Sequence, residues 1–218
     1  MARLVLLRHG ESTANAHDVF AGWLDLPLTE RGAHEARSAG RSLAAMRADS
    51  IHTSVLGRAI NTGHLVAEAA GWQAQLRRDW RLNERHYGAL QGLAKEAARR
   101  RYGAEDVEIW RRSIDVAPPP ASAYALAEQL ADRRYQCAPA ARLIRTESLG
   151  DVAARMAPYW RDVLAPELAA DRVVVVVSHG NALRALLHLA TGTPLAQTAL
   201  TQVPTAMPIM PRAVLPVP

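Results

Sequence analysis

Five consecutive valines, Val173 to Val177, run straight into Ser178-His179-Gly180-Asn181, and the N-terminus repeats the layout, with Leu4-Val5-Leu6-Leu7 running into Arg8-His9-Gly10-Glu11. A short, continuously apolar, β-branched run flanked by helical patterns reads as a parallel strand buried on both faces. Strands of that kind need helices above and below, which constrains the chain to an α/β fold. In open α/β sheets ligands bind at the carboxyl ends of the strands, and here both strands end in a His-Gly pair. An imidazole nitrogen can serve as a nucleophile, and the guanidinium of Arg8 can grip phosphoryl oxygens in bidentate fashion. A lone histidine after a strand reads as a hydrogen-bonded structural residue. Two in matched settings, the first followed by Glu11, Ser12 and Asn15, read as a phosphate site around a nucleophilic histidine.

Strand and helix signals alternate along the chain. They place strands at 3–7, 50–53, 73–77 and 173–177, and helices at 30–46 after the cap residue Thr29, at 55–70 up to Gly71, at 148–169, and at 181–191 up to Gly192. Between Trp80 and about Ser148 the text is dense in Arg, Tyr, Trp and Pro without clean periodicity, and Pro118-Pro119-Pro120 stops any element there. The expectation is one domain over 1–218, a three-layer α/β/α sandwich on a mostly parallel sheet, with a cap inserted at about 80–148 over the sheet edge.

The formal net charge is +5, carried by arginine rather than lysine. That balance suits an anionic partner. Nucleic acid is disfavoured: no zinc-finger or RNP-type segment is present, and aromatics make up only 5% of residues. Small phosphates fit better. The single cysteine, Cys137, excludes an intramolecular disulfide and a thiolate metal cluster. The apolar runs are too short for a signal peptide or a membrane span, so a soluble, cytoplasmic protein is expected, with no membrane partner.

Four further clusters carry possible chemistry. Ser54-Val55-Leu56-Gly57-Arg58 follows a strand and brings a serine and an arginine to the same sheet end, unless the serine merely caps the helix and the arginine is solvated. Asn83-Glu84-Arg85-His86-Tyr87-Gly88 opens the insertion with a carboxylate able to move protons and a hydrogen-bonding tyrosine; the alternative is a surface turn. Lys95 offers a point charge or is a solvated helix lysine. Arg111-Arg112, after Trp110, can clamp a carboxylate or phosphate or form a charged surface pair.

Taken together these stretches resemble the cofactor-dependent phosphoglycerate mutases of the histidine phosphatase superfamily, over almost the whole length. Arg8-His9-Gly10-Glu11-Ser12 with Asn15, Phe20-Ala21-Gly22-Trp23, Thr53-Ser54-Val55 with Arg58-Ala59-Ile60, and Ser178-His179-Gly180-Asn181 carry the likeness, of which Arg8-His9-Gly10 by itself would give only the superfamily. Leu82-Asn83-Glu84-Arg85-His86-Tyr87-Gly88 and Trp110-Arg111-Arg112-Ser113 resemble the mutase cap in particular, joined by Pro118-Pro119-Pro120 and Asp132-Arg133-Arg134-Tyr135.

The resemblance implies interconversion of 3-phosphoglycerate and 2-phosphoglycerate, primed by 2,3-bisphosphoglycerate and needing no metal. His9 would be the phosphorylated nucleophile, with Arg8, Arg58 and His179 around the transferring group and Glu84 as general acid and base. Substrate contacts would come from Ser12, Asn15, Ala21, Gly22, Arg85, His86, Tyr87, Lys95, Arg111, Arg112, Gly180 and Asn181. Partners would be small phosphorylated sugar acids, and a homo-oligomer, dimer or tetramer, is within what the resemblance allows. Ala21 stands where the family commonly has Ser or Thr, and Ala206 where glycine is usual. The segment from Met210 to Pro218 departs from the family's strand and basic tail. Pro211 limits any continuing strand to an edge, and 211–218 is expected to be extended and poorly hydrogen-bonded. Competing readings are a phosphomonoesterase with the same His9 chemistry and a basic non-enzymatic binding protein.

Overall fold

The computed structural model describes residues 3–212. From the N-terminus come β1 (Arg3–Arg8), α1 (Thr13–Ala16), α2 (Glu30–Leu43), β2 (Ser50–Thr53), α3 (Gly57–Ala70) and β3 (Leu76–Arg78). The stretch expected to be irregular carries α4 (Lys95–Tyr102), α5 (Ala104–Arg112), α6 (Ala123–Ala131) and α7 (Pro139–Arg142). Then follow α8 (Leu149–Tyr159), a wide helical turn at Trp160–Leu164, α9 (Ala165–Ala169), β4 (Val173–Ser178), α10 (Gly180–Thr191) and α11 (Leu195–Thr198).

Among the described residues the four strands form one parallel sheet in the order β1-β4-β2-β3. The side-chain alternation of a strand sorts the apolar runs into two layers. Leu4, Leu6, Val174 and Val176 pack against α8, α9 and α10. Val5, Leu7, Val175 and Val177 pack with Ile51 against α2 and α3. All four of Val174–Val177 are fully buried, each such side chain contributing roughly 1.5–3 kcal/mol through removal from water. The helices cover both faces, as the continuous apolar runs require.

Three expectations shift. The strand placed at 73–77 lies instead at Leu76–Arg78, where Leu76 pairs with Ile51. The helix placed at 55–70 starts at Gly57, because Leu56 is still extended at ψ 132°. The stretch 80–148 is largely helical. Its apolar residues serve two small satellite clusters rather than one long face: Phe20 with Leu90, Ala98 and Val107, and Trp23 with Tyr135 and Ala141. Helices of eight or nine residues that share apolar positions with the loop after β1 leave little periodicity to read.

The chain after α11 runs along the free edge of β1. Leu6 and Ile209 exchange both main-chain hydrogen bonds at 2.8 Å, and the Ala206 N–H donates to the Arg8 carbonyl at 2.9 Å. These isolated bridges lie on the sheet edge and precede Pro211. Ala206 adopts a left-handed φ of +49°, the conformation for which glycine is the ordinary choice. Of the expectation for 211–218, residues 213 onward lie outside the described residues.

Candidate active site

Register places the two histidines side by side. Arg8 pairs with Ser178 at the ends of β1 and β4, and the His9 N–H donates to the Ser178 carbonyl at 2.9 Å. The two imidazoles then lie with ring centroids 5.0 Å apart. Both are buried. The His9 Nδ1 sits 2.7 Å from the Gly10 carbonyl. A carbonyl can only accept, so Nδ1 carries the proton and Nε2 keeps its lone pair. Burial, followed by the positive charges of Arg58 and Arg8, pushes the His9 pKa well below its ordinary value, against the opposing Gly10 bond. The result is a neutral imidazole with a nucleophilic Nε2.

His179 has the complementary arrangement. Ser54 Oγ accepts from the Leu56 N–H at 3.2 Å and lies 2.8 Å from His179 Nε2. His179 Nδ1 has no hydrogen-bond partner among the described residues. Burial and then Arg58, His9 and Arg8 lower the His179 pKa well below normal. The alternative of a capping serine with a solvated arginine does not hold: the N-cap of α3 is Leu56, without a side-chain capping bond, and Arg58 is buried.

Arg58, on the first turn of α3, is buried and donates to the Leu24 and Gly22 carbonyls at 2.7 and 2.8 Å. Burial lowers its pKa to about 10, the carboxylate of Glu84 opposing, so it remains a cation at neutral pH. Arg8 is held by the Val203 carbonyl at 3.0 Å. In both arginines Nε is buried without a partner among the described residues. Gly22 has φ +52°, and a Cβ there would stand 2.0 Å from Gln91 Oε1. The turn that offers its carbonyl to Arg58 therefore requires glycine.

Glu84 is anchored through one oxygen. Its Oε1 accepts the main-chain N–H of Arg85 at 2.8 Å and of Asn181, in the first turn of α10, at 3.1 Å. The other oxygen, Oε2, makes no hydrogen bond among the described residues. The backbone of this segment is itself clamped by a buried ion pair that the sequence motifs did not single out. Arg155 of α8 meets Glu147 at 2.6 Å and donates to the carbonyls of Arg81, Asn83 and Glu84, while Glu147 accepts the His86 N–H at 2.8 Å.

Two cavities adjoin this machinery. The first, about 110 Å³, is lined by Arg8, His9, Ser12, Asn15, Ala21, Gly22, Arg58, Glu84, Tyr87 and Lys95, among others. Asn15 Oδ1 is turned back onto Ser12 in a capping box, leaving its amide N–H group toward solvent. Lys95 is paired with Asp18. The second, about 120 Å³, is lined by Arg85, Tyr87, Arg111, Arg112, Asn181 and Arg184 with three apolar residues. Tyr87 lines both, its hydroxyl accepting from Asn181 Nδ2 at 2.9 Å and its ring stacked under Arg85 at 4.6 Å. Arg85 Nε is a further buried donor without a partner among the described residues.

The expected site residues line one or other cavity except His86, Gly180 and His179, the last of which stays at the site through its ring contact with His9. His86 lines neither cavity. It is buried against Trp23, its Nε2 lies 3.0 Å from Gln129 Oε1, and its Nδ1 accepts the Gly88 N–H. Both ring nitrogens are engaged inside the stretch 80–148, so His86 shapes that stretch instead of touching substrate. Gly180 lines neither cavity directly; its role is to keep space between Glu84 and Arg184, whose Oε2 and Nη1 stand 3.7 and 3.3 Å from where its Cβ would be. Arg184 itself was missed, although its position four residues after Gly180 puts it on the same helix face. Among the described residues no group of three or more His, Cys, Asp or Glu is placed to hold a metal, and no helix is long and apolar enough to cross a membrane.

The comparisons with known proteins agree with this geometry. The model of the histidine phosphatase superfamily (branch 1) matches residues 4–138 and 123–207. The chain is 47% identical over 214 residues to a 2,3-bisphosphoglycerate-dependent phosphoglycerate mutase of Thermobifida fusca, covering 96% of this chain and 86% of that protein. It is 49% identical over 192 residues to the enzyme of that name from Mycobacterium leprae, covering 86% and 77%. Among solved structures, a mycobacterial glucosyl-3-phosphoglycerate phosphatase in complex with VO3 superposes with a TM-score of 0.75 at 30% identity, covering 96% of this chain and 92% of that one. The paired strand-end histidines, the arginines around them and the matches along nearly the whole chain place this protein in the histidine phosphatase superfamily, among its phosphoglycerate mutases.

Proposed function

We propose that this chain interconverts 3-phosphoglycerate and 2-phosphoglycerate, in glycolysis and gluconeogenesis, through a phosphohistidine at His9. The observation that carries the reading is a set of buried nitrogens without a partner among the described residues: Arg8 Nε and Arg58 Nε on residues lining the first cavity, His179 Nδ1 on the ring packed against His9, and Arg85 Nε on a residue lining the second. An unsatisfied buried donor costs roughly 1–3 kcal/mol. Several facing two adjoining cavities fit a ligand with an anion at each end. When bound, 2,3-bisphosphoglycerate supplies the phosphoryl group that primes His9.

His9 attacks phosphorus through Nε2, its Nδ1–H fixed on the Gly10 carbonyl. Arg8, Arg58 and His179 direct N–H groups at the phosphoryl oxygens, where charge spreads in the transition state. Asn15, Lys95 and the backbone near Ala21 and Gly22 complete the first cavity. Glu84 takes the proton of the accepting hydroxyl and returns it to the leaving oxygen. Arg111, Arg112, Arg85, Tyr87 and Asn181 hold the other end. Small phosphorylated sugar acids are thus the partners, and the cytoplasm is the expected location.

Hydrolysis by the same phosphohistidine is the second reading, favoured by the likeness to a phosphatase fold and by Ala21, which lacks the hydroxyl common in the family. Coupled turnover of 3-phosphoglycerate with and without 2,3-bisphosphoglycerate tests both. Primer-dependent isomerisation, with an acid-labile label on His9 that H9A abolishes, is expected. Phosphate release without isomerisation would replace the mutase by a phosphatase.

A further inference from the structure

The second cavity holds a cation whose origin and partners differ from the others. Arg184 reaches it from α10, a helix packed on the sheet, whereas Arg85, Arg111 and Arg112 come from the stretch between β3 and α8. Those three are engaged. Arg111 and Arg112 share Glu108 at 2.8 and 2.7 Å, and Arg85 donates to the Trp110 carbonyl at 2.9 Å. Arg184 is held only through Nε, which donates to the Thr201 carbonyl at 3.0 Å. Its Nη1 and Nη2 make no hydrogen bond or ion pair among the described residues. A guanidinium tethered by Nε presents those two nitrogens as an end-on fork, matched to a carboxylate or phosphate. The geometry near Gly180 adds the orientation: Nη1 lies on one side of the site a Cβ would fill and Glu84 Oε2 on another, at 3.3 and 3.7 Å. The fork therefore stands beside the proton-handling carboxylate without pairing to it. Burial disfavours the cation and lowers its pKa; the nearby Glu84 and Tyr87 oppose this, and Arg8 and Arg112 add smaller repulsions. A half-buried, unpaired cation of this kind gains most from an anionic ligand.

We propose that Arg184 is a specificity-determining residue that grips the distal anionic group of the substrate from the sheet side, opposite Arg111 and Arg112. The proposal rests on the mutase reading above. It makes the distal grip two-sided: the arginines of the 80–148 stretch supply charge already shared with Glu108, while Arg184 supplies an unshared fork fixed to the core. A monoester with no second anion gains nothing from it.

The test uses R184Q and R184K of the full chain. R184Q is expected to raise KM for 3-phosphoglycerate roughly 10- to 100-fold, the loss of a charge-assisted bidentate contact. Hydrolysis of p-nitrophenyl phosphate, which has no second anion, should stay near wild type, whereas half-maximal labelling of His9 should need more 2,3-bisphosphoglycerate. R184K, which keeps the charge and loses the fork, should recover only part of the affinity, and it carries the test if R184Q does not fold. An unchanged KM overturns the proposal. Equal losses on 3-phosphoglycerate and p-nitrophenyl phosphate overturn it too, making Arg184 a packing residue that acts through Thr201. Wild-type protein that is labelled at His9 yet leaves 3-phosphoglycerate unconverted overturns the mutase reading itself, a result seen before any variant is made.

Discussion

Replacing Arg155 by Met isolates how the segment bearing Glu84 is held. The guanidinium meets Glu147 through Nε at 2.6 Å and Nη2 at 3.0 Å, and both side chains are no more than 4% exposed. Its remaining N–H groups reach the carbonyls of Arg81 at 2.8 Å and of Trp80, Asn83 and Glu84 at 3.3 Å. Methionine fills similar space but leaves the Glu147 carboxylate buried and unpaired. Breaking a buried pair from one side costs about 3–5 kcal/mol, a large part of the roughly 5–15 kcal/mol that stabilises an ordinary domain. Urea unfolding should show that loss in R155M. A double variant, E147Q with R155M, should lose less than R155M alone, because the stranded charge is gone while the introduced amide oxygen still accepts the His86 N–H. In turnover at a temperature where both variants are folded, kcat should fall far more than KM rises: a displacement of about 1 Å at a catalytic group costs on the order of 10²-fold. A loss of less than about 1 kcal/mol in R155M would show that the buried pair is not what holds this segment. The reasoning fails equally if R155M is destabilised but keeps full kcat, which would make the pair a fold element with no hold on Glu84.

Three further outcomes follow from other parts of the structure. E84Q should lower kcat roughly 10²-fold or more with little change in KM, because the amide keeps an acceptor for the Arg85 and Asn181 N–H groups but cannot move a proton; steady-state kinetics showing a KM effect alone would demote Glu84 to positioning. The buried histidines His9, His52, His86 and His179 all have pKa values lowered by burial from 6.5. Below that value the unfolded chain binds protons that the folded chain refuses, so stability is full above pH 6.5 and declines beneath it, each group contributing up to about 1.4 kcal/mol per pH unit; a urea midpoint that stays flat from pH 7.5 to 5.5 would contradict this. Finally, A206G should stabilise by about 0.5–1 kcal/mol, since Ala206 sits at φ +49°, and a lowered urea midpoint would show that the alanine methyl packs better than its backbone is strained.

Much of the site was legible because it is built on strand ends. A run of apolar residues that must be buried on both faces stops where the first polar residue appears, so Arg8-His9 and Ser178-His179 announced the sheet's carboxyl edge directly. Arg58, Glu84 and Tyr87 were legible through their motif context. The Arg155–Glu147 clamp was not, because nothing in the spacing of α8 distinguishes an arginine that reaches four carbonyls of another segment from one that reaches water. His86 erred the other way: it stands inside a motif of site residues, yet Trp23 and Gln129, distant in sequence, claim its ring.

Local patterns along the chain were enough for the layered α/β architecture and for the chemistry available at the strand ends: continuous apolarity dictates burial, and residue type supplies nucleophile and cation. Folding was needed to settle which nitrogen of His9 is free, which donors are left unpaired, and how the charges are shared. The arginines depend on carbonyls that arrive from elsewhere in the chain, such as Val203 on Arg8, Leu24 on Arg58 and Thr201 on Arg184, whereas Gly10 on His9 and Glu108 on the Arg111-Arg112 pair are neighbours along the chain. A hydrogen bond is short-ranged and directional, so its partner is chosen by proximity in the folded molecule and not by distance along the chain.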